Sequence, residues 1–368
     1  MLNTIETKLR EEALFFIVMA LTALTCFFRL PDIDAIDWKV ITALFDLMLI
    51  SLALEKYKLL DKIALKALVS FGSTRKITAA MIATTALIAM LVTNDVALLT
   101  VIPLTIVMAK KASFDPYRLI ILETAAANIG SSLTPFGNPQ NLYLYAFYKI
   151  PTSQFFGITS IFAVTGMTML FIINFFNKGS ELKFNKEAIN ITNKKKIAIY
   201  MVLFVVILLS IIRILDYRIT TLITIVLFIL LDRQLFSKID YYLLGTFVFF
   251  FLFVNNVTHM EFIKTWAEAL LTSPIHVLVT SSLLSQVISN VPAAILLSAF
   301  TNHYRALLLG VSIGGLGTMV ASLANLISYK LYIKEYSRKR YNKLFYSLNF
   351  GLLALLLVVG MLTIKFIL

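Results

Sequence analysis

One cysteine, Cys26, is all the thiol the chain has, which excludes an intramolecular disulfide framework and any cysteine-based metal cluster. Charge is also scarce: 14% of the 368 residues are charged, against roughly 25% in a soluble domain. The three histidines, His259, His276 and His303, form no metal-ligand spacing. No HExxH, G-x-S-x-G or phosphate-binding glycine loop followed by Lys-Ser/Thr occurs. The residues thus supply no enzyme motif and no means of driving an ATP pump. Strand-like alternation is absent too, which leaves helices as the way to satisfy the backbone in lipid.

What is present is apolar surface. Hydrophobic residues make up 59% of the chain, in runs long enough to cross a ~30 Å hydrocarbon core. This pattern predicts an all-α polytopic membrane protein in the cell (cytoplasmic) membrane. The net charge of +13 sits in short loops between the runs, without aromatic interleaving, so it reads as topology rather than nucleic-acid binding. The first run follows Lys8 and Arg10, is too long for a signal-peptide core and ends without a small-residue cleavage site. It is expected to stay as a helix.

Spans are expected at 12–30, 38–54, 155–177, 197–215, 218–232, 239–257 and 344–367, with interrupted helices at 117–148 and 304–332. Two further segments, 76–110 and 274–301, carry Thr-Asn-Asp and Ser-Asn-Val-Pro in mid-run. Two crossings with a turn need roughly 40 residues at 1.5 Å each, so both segments read as re-entrant hairpins. With the N-terminus inside, 25 of the 33 Lys and Arg fall on the inner side and 8 on the outer. The count favours nine crossings with the C-terminus outside.

An order then repeats. A short amphipathic helix (57–71, then 259–271) precedes each hairpin, and each hairpin is followed by an interrupted helix and a closing span. The order occurs once from each side of the membrane, as an inverted-topology repeat of the kind secondary transporters use. The halves are 1–177 and 197–368, with a lysine-rich cytoplasmic linker, 178–196, between them.

The hairpin tips and helix breaks hold the candidate binding residues. In the first half these are Thr93, Asn94, Asp95, Ser131, Ser132, Thr134, Asn138 and Asn141; in the second, Ser289, Asn290, Thr318, Ser322 and Asn325. A helix break frees carbonyls at one end, which suit a cation, and N–H groups at the next start, which suit an anion. Asp46, Asp95 and Glu123 are acids inside apolar runs. Asp95, in the stretch LVTNDVALLT (residues 91–100), is the foremost proton-coupling candidate, with Glu123 second and Asp46 open between a functional and a structural role.

These clusters are similar to those of the ion transporter superfamily: arsenite permeases, NhaD-type sodium/proton antiporters, citrate transporters and sodium–dicarboxylate symporters. TNDVALLTVIPL (93–104) resembles the Asn-Asp hairpin of the arsenite-permease branch. NIGSSLTPFGNPQNLYL (128–144) resembles the superfamily's broken helix, with its G-x-P-x-N core at Gly137, Pro139 and Asn141, and SNVPAAILL (289–297) its second hairpin. The resemblance implies an elevator mechanism, homodimers and no cofactor, with sodium open as a coupling ion at Asn94, Asp95 and Asn138. Where the dicarboxylate branch reads Ser-Asn-Thr at both tips, this chain reads Thr93-Asn94-Asp95 and Ser289-Asn290-Val291. That departure favours a proton or cation at Asp95. The expected function is a secondary transporter moving a small inorganic or carboxylate anion, coupled to protons or sodium. The alternatives are a sodium/proton antiporter, an arsenite exporter and, from another class, an ion channel. The expected partners are the bilayer and a small ionic substrate, with no nucleic acid.

Overall fold

The computed structural model describes residues 12–69, 73–111, 114–177, 179 and 193–367. The first eleven residues, the end of the first amphipathic segment (70–72) and most of the expected linker (180–192) lie outside the described residues. Among those described there is no strand; the regular structure is seventeen α-helices and two short 3-10 turns. In chain order, α1 is Ala13–Thr25, α2 Trp38–Lys56, α3 Leu59–Val69, α4 Thr74–Leu91, α5 Asn94–Lys111 and α6 Tyr117–Ser131. Next come α7 (Pro139–Phe147), α8 (Thr152–Phe175), α9 (Lys194–Ile211), α10 (Tyr217–Asp232) and α11 (Tyr241–Val257). The remainder are α12 (Glu261–Leu270), α13 (Pro274–Ile288), α14 (Asn290–Ser298), α15 (Tyr304–Gly314), α16 (Leu323–Ile333) and α17 (Arg338–Phe366).

Several boundaries depart from the apolar runs. Helix α1 stops at Thr25, short of residue 30, where the N–H groups of Phe27 and Phe28 close tighter turns onto the carbonyls of Leu24 and Thr25, three residues back. Pro31, just beyond, has no N–H with which to resume a helix. The first hairpin runs from Thr74 to Lys111, and each of its legs has 18 residues, a rise of about 27 Å. That is close to the hydrocarbon thickness, so chain length alone does not make this pair re-entrant. The second pair does fall short: α13 has 15 residues and α14 only 9, rises of about 22 and 14 Å.

Four stretches among the described residues are individually long and apolar enough to cross a membrane: Thr74–Leu91, Thr152–Phe175, Tyr217–Lys238 and Arg338–Phe366. Helix α12 leaves α11 at 96° and shows Phe262 and Trp266, one turn apart, on its exposed surface.

The centre is made by α6 and α15, whose residues are buried without interruption from Leu119 to Ser131 and from Ala306 to Gly314. A helix enclosed all round needs small residues where neighbours press closest. Gly130 lies so near Ala86 of α4 that a Cβ would sit 2.6 Å from its Cα. Gly314 meets Ser282 and Ser285 of α13 in the same way.

The packing around these two helices is reciprocal. As α4 and α5 flank α6, so α13 and α14 flank α15; as α8 packs on α6 and α15, so α17 packs on α15 and α6. The cross-contacts match as well, α16 lying against α5 and α6, and α7 against α14 and α15.

Helices α2, α9 and α10 form a separate group beside α7, clamped at one end by Asp232. Its carboxylate is buried, accepts from the Tyr57 hydroxyl at 2.7 Å and the Tyr200 hydroxyl at 2.5 Å, and pairs with Lys56 and Lys196. Replacing it by Asn would leave two lysines without their anion, a loss on the order of 3 kcal/mol for a buried pair. Asp232→Asn is expected to lower the midpoint of thermal inactivation in detergent by several degrees; an unchanged midpoint would remove the clamp.

Candidate functional site

Both hairpin tips meet both helix breaks in one polar centre. Helix α6 ends at Ser131 and α7 begins at Pro139; α15 ends at Gly314 and α16 begins at Leu323. Proline at the first helical position and Asn138 before it, accepting the Asn141 N–H at 2.9 Å, restart the first broken helix. In the second, Ser322 holds the N-cap position.

Three hydrogen-bonding arrangements recur in the two halves, the third with two bonds in each. The Asn94 N–H donates to the Gly137 carbonyl (3.1 Å), and the Asn290 N–H to the Ala321 carbonyl (2.9 Å). The Thr134 hydroxyl donates to the Met90 carbonyl (2.8 Å), and the Thr318 hydroxyl to the Gln286 carbonyl (2.9 Å). The Asn141 amide donates to the carbonyls of Ser132 (2.9 Å) and Thr134 (3.2 Å), and the Asn325 amide to those of Gly315 (3.0 Å) and Thr318 (2.9 Å). The first of these pins each tip to the break of its own half. Each tip turns through a residue of positive φ, Thr93 at 155° and Ser289 at 76°. Ser289, with ψ 156°, occupies a region used almost only by glycine.

The halves are joined at Asn128, on α6. Its amide donates to Asn325 Oδ1 at 2.7 Å; its Oδ1 accepts from the Ser322 hydroxyl (3.0 Å) and the Asn94 amide (3.2 Å). One side chain thus holds the first tip and the second break. Asn128 was not among the residues singled out from sequence, because it lies inside a regular helix rather than at an interruption. Gln286 is a second such residue: its Nε2 donates to the Gly314 carbonyl (2.9 Å) and its Oε1 accepts the Thr318 N–H (2.9 Å).

The other candidates fall around this frame. The Ser131 hydroxyl accepts from the Asn138 amide at 3.1 Å, and Ser132 bonds back to the Ile129 carbonyl. The Ser289 hydroxyl reaches the Ala321 carbonyl at 3.4 Å, and Thr93 accepts the Val96 N–H at 3.5 Å. Asp95 is half-buried, and its Oδ1, sealed from solvent, has no hydrogen-bond donor. Asn141 Oδ1 is likewise without a donor. Among these candidates the oxygens that are both sealed from solvent and without a donor are those of Asp95 and Asn141 in the first half.

Glu123 does not join the centre. It is buried on α6 two turns before Ser131, accepts from the Thr105 hydroxyl of α5 at 2.8 Å and leaves Oε2 unpartnered. Asp46 is farther off, held between α2 and α10 by the Thr221 hydroxyl at 2.8 Å. Among the described residues no group of three His, Cys, Asp or Glu could hold a metal ion.

Among the described residues, seventeen helices, several of them apolar, enclose a buried polar centre at two tips and two breaks, as in a multi-pass membrane protein. The comparisons make it a transporter. Residues 7–307 match the sequence model of the family described as Citrate transporter. An uncharacterized transporter of Methanocaldococcus jannaschii is 36% identical over 299 residues, 80% of this chain and 81% of the relative. The inner membrane protein YbiR of Escherichia coli is 29% identical over 299 residues, 81% and 80% of the two chains. A putative transporter arsB of Dictyostelium discoideum is 24% identical over 145 residues, 39% of this chain and 26% of the relative. This chain belongs to the citrate transporter family, within the ion transporter superfamily that its tips and broken helices resemble.

Proposed function

We propose that the protein is a secondary transporter that carries a small anion across the cytoplasmic membrane, coupled to protons or sodium. The observation that carries this reading is the polar centre, where two tips and two breaks converge on Asn128. There the N-termini of α7 and α16 offer positive helix ends suited to an anion. Asp95 Oδ1 and Asn141 Oδ1 offer buried acceptors suited to a proton or a sodium ion. Coupling belongs to the first half in this reading, because the acid of the centre, Asp95, is there with a sealed oxygen that has no donor.

The reciprocal packing and the three recurring hydrogen-bonding arrangements support an inverted repeat of halves 1–177 and 197–368. In the elevator motion we infer, α4–α8 and α13–α17 move past the group α2, α9 and α10. The topology has nine crossings, the N-terminus inside and the C-terminus outside, and the working unit is a homodimer as in the superfamily. A sodium/proton antiporter is the second reading, favoured by the acid that stands at the first tip where the symporters have a hydroxyl. Arsenite export, which the resemblance of the first hairpin to the arsenite-permease branch implies, enters the same test.

The test is purified protein in liposomes, offered citrate, phosphate, sulfate, arsenite or sodium under imposed proton or sodium gradients. Saturable, gradient-driven anion uptake is expected. Movement of cations alone would replace anion transport by the antiport reading, arsenite alone by the export reading. Current far above carrier turnover would make it a channel.

A further inference from the structure

A cavity of about 530 Å³ lies between the C-terminal end of α7, the start of α2 and the turn joining α9 to α10. It is on the side where the Lys and Arg count places the outside, and it gathers Lys39, Lys149 and Arg213, three of the eight cations there. Two of them follow helix C-caps in left-handed backbone, Lys149 at φ 50° and Arg213 at φ 68°. Glycine is the unstrained residue at such positions, and a side chain there costs about 1–2 kcal/mol. Arg213 has a structural use, donating to the Tyr145 carbonyl at 2.5 Å with its guanidinium 4.7 Å above the Tyr145 ring. Lys39 and Lys149 have none: among the described residues their ammonium groups meet no carboxylate and no acceptor. The cavity also holds two acids, each capping a helix through one carboxylate oxygen. Asp37 accepts the N–H groups of Lys39 and Val40 at the start of α2, and Asp216 that of Arg218 at the start of α10. Each therefore faces the positive end of its own helix.

We propose that this cavity is an outer vestibule in which Lys39 and Lys149, backed by Arg213, concentrate a small anion on its way to the polar centre. Helix α7 links the two places directly, running from Asn138 at the break to Lys149 at the vestibule, a rise of about 14 Å over its 9 residues. Three cations stand against two carboxylates that face positive helix ends, so the cleft carries an excess of positive charge. That excess raises the local concentration of an anion and the rate at which it arrives. The proposal rests on the anion reading above for its purpose, not for its existence.

The test measures the potential of the cavity without transport. In a Cys26→Ser background, Ile214→Cys places a thiol on the exposed lip of the cavity, and Thr272→Cys serves as an outer-surface control. Each is reacted with the anionic sulfonatoethyl and the cationic trimethylammonium-ethyl methanethiosulfonates. The anionic-to-cationic rate ratio at Ile214→Cys should exceed the control by about tenfold, as expected of a focused field. It should fall toward the control in Lys39→Gln/Lys149→Gln and in 1 M salt, where screening acts within about 3 Å. The same double variant should raise the half-saturating concentration of a transported anion about threefold with the maximal rate kept. A ratio equal to the control, or unmoved by the double substitution, overturns the vestibule. If the ratio behaves as expected while no anion of the panel is taken up, the vestibule stands and the anion reading falls. If anions are taken up but the ratio is flat, the vestibule alone is lost.

Discussion

Asn128→Ala is expected to reduce gradient-driven uptake at least about a hundredfold while the protein still inserts and purifies. The substitution leaves Asn325 Oδ1, the Ser322 hydroxyl and the Asn94 amide without the atom that joins them. Each buried group stranded in this way costs about 1–3 kcal/mol, and ~1.4 kcal/mol is a factor of ten. Those groups come from the first tip, Asn94, and the second break, Ser322 and Asn325, so the loss falls on the relative placement of the two. The control is built into the chain. Ser312 is as far before Ser322 as Asn128 is before Asn138, but it bonds only to the Leu308 carbonyl of its own helix. Ser312→Ala should change uptake less than twofold by the small net worth of such a bond. Equal effects at the two positions would mean that Asn128 is ordinary helix packing.

Gly137→Ala is the second large effect. A Cβ there would stand 2.2 Å from the Ser131 carbonyl oxygen and 2.8 Å from the Thr134 hydroxyl. The first is backbone, held in the break, and has no room to withdraw. Gly137 also supplies the carbonyl that receives the Asn94 N–H, so relief of the clash would displace the first tip. Overpacking of this kind costs about 1–3 kcal/mol. Uptake is expected to fall more than about tenfold and the thermal-inactivation midpoint in detergent to drop with it. The second half carries Ala321 at the matching place, so Ala321→Gly should be mild in both assays. A Gly137→Ala protein with normal uptake would show that the first tip does not depend on this contact.

The sequence made the tips and breaks legible because irregular backbone in an apolar run announces itself. Asn94 and Asn290 interrupt long hydrophobic stretches, and Gly137-Asn138-Pro139 carries its own turn chemistry. Asn128 and Gln286 carry no such mark. Their spacing is that of an ordinary helix, and the role of Asn128 depends on a helix 197 residues away in the chain. For Glu123 the sequence marked an acid in an apolar run, and only the fold reveals that its hydroxyl partner, Thr105, comes from α5. Chain length was an uneven guide. The second pair of helices is as short as its apolar run, but Thr74, Arg75 and Lys111 extend the first pair past its apolar limits.

The most direct measurement of the central account is flux in liposomes by the parent and Asp95→Asn, under proton and sodium gradients imposed separately. Asn keeps the shape of the side chain and its place beside Asn94, but it can neither gain a proton nor carry the charge that a sodium ion needs. The parent should respond to one of the two gradients, and Asp95→Asn should lose that response while the folded protein persists. Uptake by Asp95→Asn with the parent's dependence on both pH and sodium would contradict the assignment of coupling to the first tip.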